Sequence, residues 1–305
     1  MSEYIIGVDH GYAATKTAHC VFPSGVVAFD SCPPVQSGLL EIGSRFFVVG
    51  SGRQPLLKNK TINENYRLLT WAAIARELQA RNGETKASVL LAAGLPLTSF
   101  GREKAAFKQY LTPNKQPVCF RYEGQDYEIT ITGVEIYPQG FSAIANNAAL
   151  LEGEPSTLVV DIGGWTVDIM RLDRYTVDTA SCRSLELGVI RCMDEIKEQV
   201  RRTLGLSVTD AQVENILTNR QCTLSSQAVL LIQRHGRLYV ERLFSAIEEC
   251  GFDLKALPVI FVGGGAALVQ PRVSREDALC RAVYLTDVCI NAQAYEAIVA
   301  RKVRT

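Results

Sequence analysis

Ile5-Ile6-Gly7-Val8-Asp9-His10-Gly11-Tyr12-Ala13-Ala14-Thr15-Lys16 is an apolar run that ends in an acid, a glycine turn and a return segment carrying a hydroxyl. The design recurs as Leu158-Val159-Val160-Asp161-Ile162-Gly163-Gly164-Trp165-Thr166-Val167-Asp168. A third run, Val259-Ile260-Phe261-Val262, leads into Gly263-Gly264-Gly265. Glycine turns let backbone N–H groups converge on an anion, because no Cβ blocks the approach. An Asp beside such a turn repels phosphate, but it suits the hydrated Mg2+ that accompanies phosphate. The two Asp-Gly turns therefore read as half-sites for one Mg-nucleotide. Turn formation is the plainer role for Asp9 and Asp161, yet an acid directly after an apolar run calls for more than turn chemistry. Gly-Gly-Gly after a buried strand can equally mark only a tight turn, so the ordered set of three carries the reading. The fingerprints G-x-G-x-x-G and G-x-x-x-x-G-K-S/T are absent, which excludes the commonest phosphate loops.

Composition bounds the rest. The chain has 305 residues, 47% apolar and 21% charged, as expected of one large or two medium globular domains. With 32 basic and 32 acidic residues the formal charge is zero, so no bulk electrostatic case exists for direct nucleic-acid or membrane binding. Nine cysteines without a C-x-x-C pair make a poor disulfide framework and a poor zinc site. They read as small buried hydrophobes in a reducing compartment. The N-terminus lacks the basic segment and long apolar stretch of a signal peptide, and no run approaches membrane-spanning length. A cytoplasmic location is expected.

Outward from the first turn, strands are expected at residues 4–8, 15–22 and 25–29, with Pro23-Ser24-Gly25 as a turn. Residues from about 33 to 65 read as a small insertion with one strand at 45–49 and a polar loop from Lys58 to Asn65. Helical periodicity covers 66–80, followed by a buried strand at 89–93 and a helix at 100–111. Residues 118–122 and 127–132 form a hairpin, and 134–137 a further strand. An amphipathic helix then carries Phe141, Ile144, Ala145, Ala148 and Leu151. Residues 152–156 are the expected boundary. Beyond it, strands at 158–161, 166–172 and 175–181 precede helices at 188–204, 209–218 and 225–250, with Ser207 or Thr209 as an N-cap. The strand at 259–262 and a last helix from about 291 to 301 close the chain. Both halves thus open with three strands around an Asp-Gly turn, which predicts an internal structural repeat.

The ordered set resembles the actin–hexokinase–Hsp70 superfamily. Asp9-x-Gly11…Lys16 is similar to its first phosphate motif, Asp161-x-Gly163-Gly164-x-Thr166-x-Asp168 to its second, and Gly263-Gly264-Gly265 to its adenosine motif. Tyr137-Pro138-Gln139-Gly140 and the helix near Asn291 stand where its connecting motifs belong. Ile6-Gly7-Val8-Asp9-His10-Gly11-Tyr12, Leu91-Ala92-Ala93-Gly94-Leu95-Pro96-Leu97 and Tyr137-Pro138-Gln139-Gly140-Phe141 narrow the resemblance to the ParM/StbA-like bacterial actins, which are plasmid-segregation ATPases.

The resemblance implies an α/β actin-like ATPase fold. Two structurally repeated domains, each with a mixed sheet flanked by helices, would enclose a nucleotide cleft. Domain I would span 1–154 with the helix at 291–305, and domain II 155–290 with a helical insertion at about 189–257. Amides of Gly11, Tyr12 and Ala13 would cradle phosphates from one side, and those of Gly163, Gly164 and Trp165 from the other. Thr166 and the three glycines at 263–265 complete the nucleotide-binding set. Asp9 and Asp161 would orient Mg2+ mainly through water, and Gln139 would position the attacking water. Many relatives have Glu at that position; Gln is a poor base, so slow hydrolysis of ATP or GTP is expected. Lys16 would neutralise a phosphate oxygen, or is simply a solvated strand residue. Asp168 joins the metal network or only caps its turn. Trp165 departs from the small residue usual there, and His10, without a partner at motif spacing, reads as a packing residue.

The function so implied is a nucleotide-driven filament with head-to-tail self-association, linked to plasmid DNA through a DNA-binding adaptor. A small-molecule kinase and a non-polymerising nucleotide-binding adaptor are the alternatives.

Overall fold

The computed structural model describes residues 2–55, 59–274 and 279–304. Lys58 of the expected polar loop and Thr305 of the expected last helix lie outside the described residues. The chain divides into two compact units, Met1–Asn147 with Val288–Thr305, and Ala148–Asp287.

The first unit is built on β1 (Ser2–His10), β2 (Ala14–Lys16), β3 (Val21–Pro23), β4 (Val26–Phe29), β5 (Leu39–Ile42), β6 (Arg45–Val49), β7 (Lys86–Leu95), β8 (Val118–Tyr122) and β9 (Gln125–Pro138). They form one sheet in the order β3-β2-β1-β7-β9-β8-β5-β6-β4. β1, β7 and β9 run parallel at its centre. Central parallel strands are covered on both faces, which is why Val89-Leu90-Leu91-Ala92-Ala93 reads as a continuous apolar run. Helix α1 (Asn65–Arg81) buries Leu68, Leu69, Ala72, Ile74, Ala75 and Leu78 in the same core as β1 and β7. Helix α2 (Leu97–Leu111) adds Phe107 and Leu111.

Three expectations for the strands of this sheet need correction. The strand expected at 15–22 is broken, because Thr17 N–H donates to Cys20 O (2.8 Å) and Cys20 N–H to Thr17 Oγ1 (3.0 Å), closing a turn. The strand at 26–29 does not lie beside it; β4 pairs with β6 at the far edge of the sheet, and β3 takes the third place. Gly25 explains the departure. Its N–H donates to Gly52 O (3.0 Å), and a Cβ there would fall 1.6 Å from Ser51 O, so the chain is held against the 51–52 loop. Finally, the strands expected at 127–132 and 134–137 are one 14-residue strand. Its register shifts opposite Val89/Leu90, beside Gly133, where a Cβ would press on Leu90 Cδ1 at 2.9 Å.

The helix expected through Leu151 stops early. α3 (Phe141–Ala145) is followed by a separate 3-10 turn, Ala148–Leu151. Asn147 donates its side-chain amide to Ala143 O (2.8 Å), a local alternative to continuing the helix.

The second unit holds β10 (Ser156–Ile162), β11 (Val167–Asp173), β12 (Thr176–Leu185), α4 (Val189–Leu204), α5 (Asp210–Leu217), α6 (Ser226–Glu249), β13 (Val259–Val262), α7 (Ala266–Val269) and β14 (Ala282–Leu285). Its sheet order is β12-β11-β10-β13-β14. Three antiparallel strands followed by two parallel ones repeat the β3-β2-β1-β7-β9 half of the first sheet. Thr209 caps α5 in a full capping box with Gln212, and Ser225 accepts from Ala228 N–H at the start of α6 (3.3 Å). The chain then returns to the first unit as α8 (Ile290–Arg304). This helix packs on β1 so closely that a Cβ at Gly7 would fall 2.1 Å from Ala292 O.

Candidate functional site

The first turn follows β1, and its carbonyls are fixed by neighbours. Gly11 O accepts from Ser24 Oγ (2.6 Å), Ala13 O from Ser24 N–H (3.0 Å) and Tyr12 O from Gln54 N–H (2.9 Å). In a trans peptide the N–H points opposite to the preceding C=O. Pinning Gly11 O and Tyr12 O therefore aims the amides of Tyr12 and Ala13 away from Ser24 and Gln54. Gly11 N–H itself donates to Asp9 O (3.1 Å), so it serves the turn rather than an external anion.

The second turn repeats the device with other partners. Gly163 O accepts from Val189 N–H (3.0 Å), Gly164 O from Ile190 N–H (2.8 Å) and Trp165 O from Gly188 N–H (2.9 Å). The start of α4 thereby satisfies its first donors and aims the amides of Gly164 and Trp165 the opposite way. Gly163 N–H donates to Thr166 O (2.9 Å) and is again internal to the turn. The bulk of Trp165 does not alter this arrangement, which uses only its backbone.

Asp9, 3% exposed, is the penultimate residue of β1 and stands opposite Lys16. Lys16 Nζ lies 3.1 Å from Asp9 Oδ2, and Gln139 Nε2 donates to Oδ1 at 2.6 Å. Burial alone raises this carboxyl, but the charges of Lys16 and Lys60 and the hydrogen bonds from Lys16 and Gln139 hold it below the usual range. Lys16 is thus ion-paired at the turn. Gln139 follows β9 directly and is held beside it by Gly140, whose φ of +67° suits glycine and whose N–H donates to Asn291 Oδ1 (3.0 Å).

In the second unit the position matching Lys16 is an acid. Asp161 on β10 stands directly opposite Asp168 on β11, and Thr166 Oγ1 donates to Asp168 Oδ2 (3.3 Å). Like charges directly across a sheet are unfavourable, so this pair suits a divalent cation where Asp9 and Lys16 already neutralise each other. Among the described residues no group of three or more His, Cys, Asp or Glu could hold a metal alone. Water or phosphate oxygens would have to complete the shell. The third turn adjoins the second, because β13 pairs in parallel with β10 and sets Val262 beside Asp161. Gly263 has φ +87°, and a Cβ there would lie 2.6 Å from Asp161 Oδ1. Gly265 N–H donates to Ile162 O (3.1 Å), with Gly264 between them.

Lys60 was legible in the sequence only as part of a polar loop. It is 3% exposed, donates to His10 O (2.7 Å) and sits 5.5 Å and 5.4 Å from the Tyr12 and Tyr66 ring centres. Ser24 and Gln54, which no phosphate motif includes, shape the first turn likewise, and Asn291 shapes the connection at Gly140.

His10 is a packing residue, edge-on to Tyr66 and Phe107. Thr70 Oγ1 donates to Tyr66 O (2.6 Å), so it accepts from His10 Nε2–H (2.8 Å) and fixes that tautomer. Burial first, then the Lys60 charge, against the opposing pull of Asp9, push the ring down to about 3. The folded value lies below the unfolded value of about 6.5. This group's stabilisation is therefore complete above that pH and falls away toward about 3, by at most about 1.4 kcal/mol per pH unit. Urea midpoints should decline as pH drops from 7 to 5, and His10→Asn should flatten the decline. An unchanged slope in the variant contradicts the assignment.

Residues 7–141 match the family of actin-like proteins, N-terminal domain. The chain is similar to the crystal structure of Ta0583, an archaeal actin homologue, with a TM-score of 0.79 at 20% identity, covering 99% of this chain and 100% of that one. It is also similar to Bacillus thuringiensis ParM with ATP, at TM-score 0.72 and 15% identity over 100% of both chains. A third similar structure is ParM in a 15-stranded filament from Clostridium botulinum, at 0.74 and 17% over 99% of this chain and 100% of that one. No curated protein matches by sequence. The fold is actin-like, with two repeated units that each carry a mixed sheet flanked by helices. The resemblance to actin-like proteins drawn from the motifs is borne out by that family match over residues 7–141 and by that fold.

Proposed function

We propose that this chain binds ATP with Mg2+, hydrolyses it slowly and assembles head to tail with copies of itself. The observation that carries the reading is the repeated turn. In each unit, pinned carbonyls aim two amides outward beside a buried Asp. Tyr12 and Ala13 on one side, and Gly164 and Trp165 on the other, would hold the phosphates of one nucleotide. Bound Mg2+ would shield phosphate charge, anchored by Asp161 and Asp168, while Asp9 holds Lys16 and Gln139 in place. Thr166 would steady Asp168, and the glycines at 263–265 would leave room for the nucleoside. Similar structures were solved with ADP and with ATP, which supports ATP, with GTP the alternative.

Gln139 cannot act as a useful base, so it would position water through its carboxamide oxygen while its nitrogen stays on Asp9. Gln139→Ala should slow phosphate release on the order of 10²-fold with ATP affinity nearly unchanged. Equal losses of both would contradict a water-positioning role.

Assembly would follow from population shift, with ATP stabilising the state that adds subunits. Head-to-tail contacts are heterologous and build open helices. Similar proteins have been solved as filaments, which supports the reading. The zero formal charge fits contact with plasmid DNA through an adaptor rather than directly. Sedimentation across a concentration series, with ATP-Mg2+ and without nucleotide, tests the proposal. A pellet appearing only with nucleotide above a threshold supports it. Binding without a pellet favours the non-polymerising adaptor, and phosphate transfer to a small acceptor favours the kinase.

A further inference from the structure

Helix α8 is pressed against β1 at Gly7, and towards the start of the strand a recess of about 650 Å³ opens beside both. Successive residues of a strand face opposite sides of the sheet, so Glu3 and Ile5 share with Gly7 the face that α8 covers. Ile5 packs there against the cluster of Tyr295 and Val299. From the helix the recess meets Ala297 and Ala300, whose small side chains leave the space open. Ala18 adds to a half-buried apolar lining. Glu3 precedes Asp9 by six residues, roughly 20 Å of strand, so the recess lies well away from the first phosphate turn.

The polar groups around the recess divide into spent donors and open acceptors. Glu77, fully buried, accepts from His19 Nδ1–H (2.6 Å), His19 N–H (3.2 Å) and Arg81 Nε (2.7 Å). Burial alone raises this carboxyl, but hydrogen bonds from Thr17, His19 and Arg81 hold it below the usual range. Arg81 places Nη1 on Ile5 O (3.1 Å) and Nη2 on Glu296 Oε1 (2.6 Å). Glu296 Oε1 also accepts from Gly7 N–H (2.9 Å). The second oxygen of Glu296 has no hydrogen-bond partner among the described residues, and neither has the Glu3 carboxylate. The same holds for Gln293 Oε1, whose amide nitrogen donates to Ala18 O (3.3 Å). Burial holds the Glu296 carboxyl above the usual range against the pull of Gly7 N–H and Arg81, so its charged form gains from a further cation.

We propose that this recess binds an aliphatic primary ammonium group. Its three open acceptors, on Glu3, Gln293 and Glu296, match the three N–H donors of an ammonium. The alkyl stem lies along Ile5, Ala18, Ala297 and Ala300, as the stem of a lysine does on an apolar surface. Arg81 offsets Glu77, so Glu3 and Glu296 carry the uncompensated charge, and an anion would face both of them. A metal ion suits the recess less, because no group of three or more His, Cys, Asp or Glu that could hold one occurs among the described residues. The ammonium can come from a free alkyl diamine or from a lysyl side chain. The inference stands apart from nucleotide binding and self-assembly.

Equilibrium titration of the full chain, without nucleotide, tests it. 1,5-Diaminopentane should bind saturably at one per chain, and 1-pentanol, of the same length but uncharged, at least tenfold more weakly. Glu296→Gln keeps an oxygen for Gly7 N–H and Arg81 but turns a donor into the recess, so it should weaken the diamine at least tenfold. Glu3→Gln should weaken it several-fold. Equal binding of diamine and alcohol, wild-type affinity in Glu296→Gln, or no saturable binding at all overturns the site. Should Glu296→Gln fail to fold, Ala300→Leu fills the recess from the helix surface. It should also weaken the diamine at least tenfold, and unchanged affinity there overturns the site equally. N-acetyl-lysine N-methylamide separates the two sources. Binding as tight as that of the diamine supports a lysyl side chain, and binding of the diamine alone supports a free amine. A chain that takes up the diamine but never pellets with ATP removes the self-assembly reading and leaves this site standing.

Discussion

Asp161→Ala should lower nucleotide turnover by orders of magnitude while leaving the fold intact. Asp161 lies near the end of a strand whose Leu158, Val159 and Val160 are fully buried, so the strand keeps its place without the carboxylate. What disappears is one of two facing acids. The loss should be on the order of 10²–10³-fold or more in phosphate release, the scale seen when one preorganised electrostatic group is removed from a reacting phosphate or carbonyl. Stability should change little, because the buried apolar residues of the strand hold this segment in the sheet. A melting curve and a phosphate-release assay on one preparation separate the two effects. Wild-type turnover in this variant would remove the acid from the mechanism, and collapse of the fold would make it a structural residue.

Lys60→Met should be the most damaging change in the first unit. Methionine fills a similar volume but supplies neither charge nor donor. His10 O would lose its 2.7 Å partner, which costs about 1–3 kcal/mol for a buried acceptor. Asp9 would lose one of the two cations that hold its carboxyl down, and so rise. Because Lys60 also lies over the Tyr12 ring, the turn whose amides are aimed outward would slacken. ATP affinity should therefore fall on the order of 10-fold or more, the equivalent of about 1.4 kcal/mol, with Lys60→Arg intermediate. Affinity equal to wild type in a folded Lys60→Met protein would restrict Lys60 to a packing role.

The sequence carried the parts of this molecule that repeat. Asp9 and Asp161, each after an apolar run and before glycine, marked both strand ends, and the buried run at 89–93 marked a central parallel strand. Helical periods placed α1, α4, α5 and α6 within a residue or two. Long-range placement was less accessible. Nothing in Val26-Val27-Ala28-Phe29 states that it crosses to the far edge of the sheet; the tie between Gly25 and the 51–52 loop decides that. β5 and β14 are four-residue strands, too short for a period to emerge. At the site, motif spacing identified the turns but not which of their amides point outward. That depends on Ser24, Gln54 and the first residues of α4, which pin carbonyls from a distance. Lys60 was hidden for a similar reason: a lysine in a polar loop looks solvated until the fold carries it against His10 O and the Tyr12 ring.

The central claim is that both turns serve the same nucleotide, and calorimetric titration of ATP-Mg2+ into the wild type, Asp9→Ala and Asp161→Ala proteins tests it most directly. One ATP per chain is predicted for the wild type, with that single binding event weakened by either substitution. Two independent events per chain, each lost with only one of the substitutions, would contradict it.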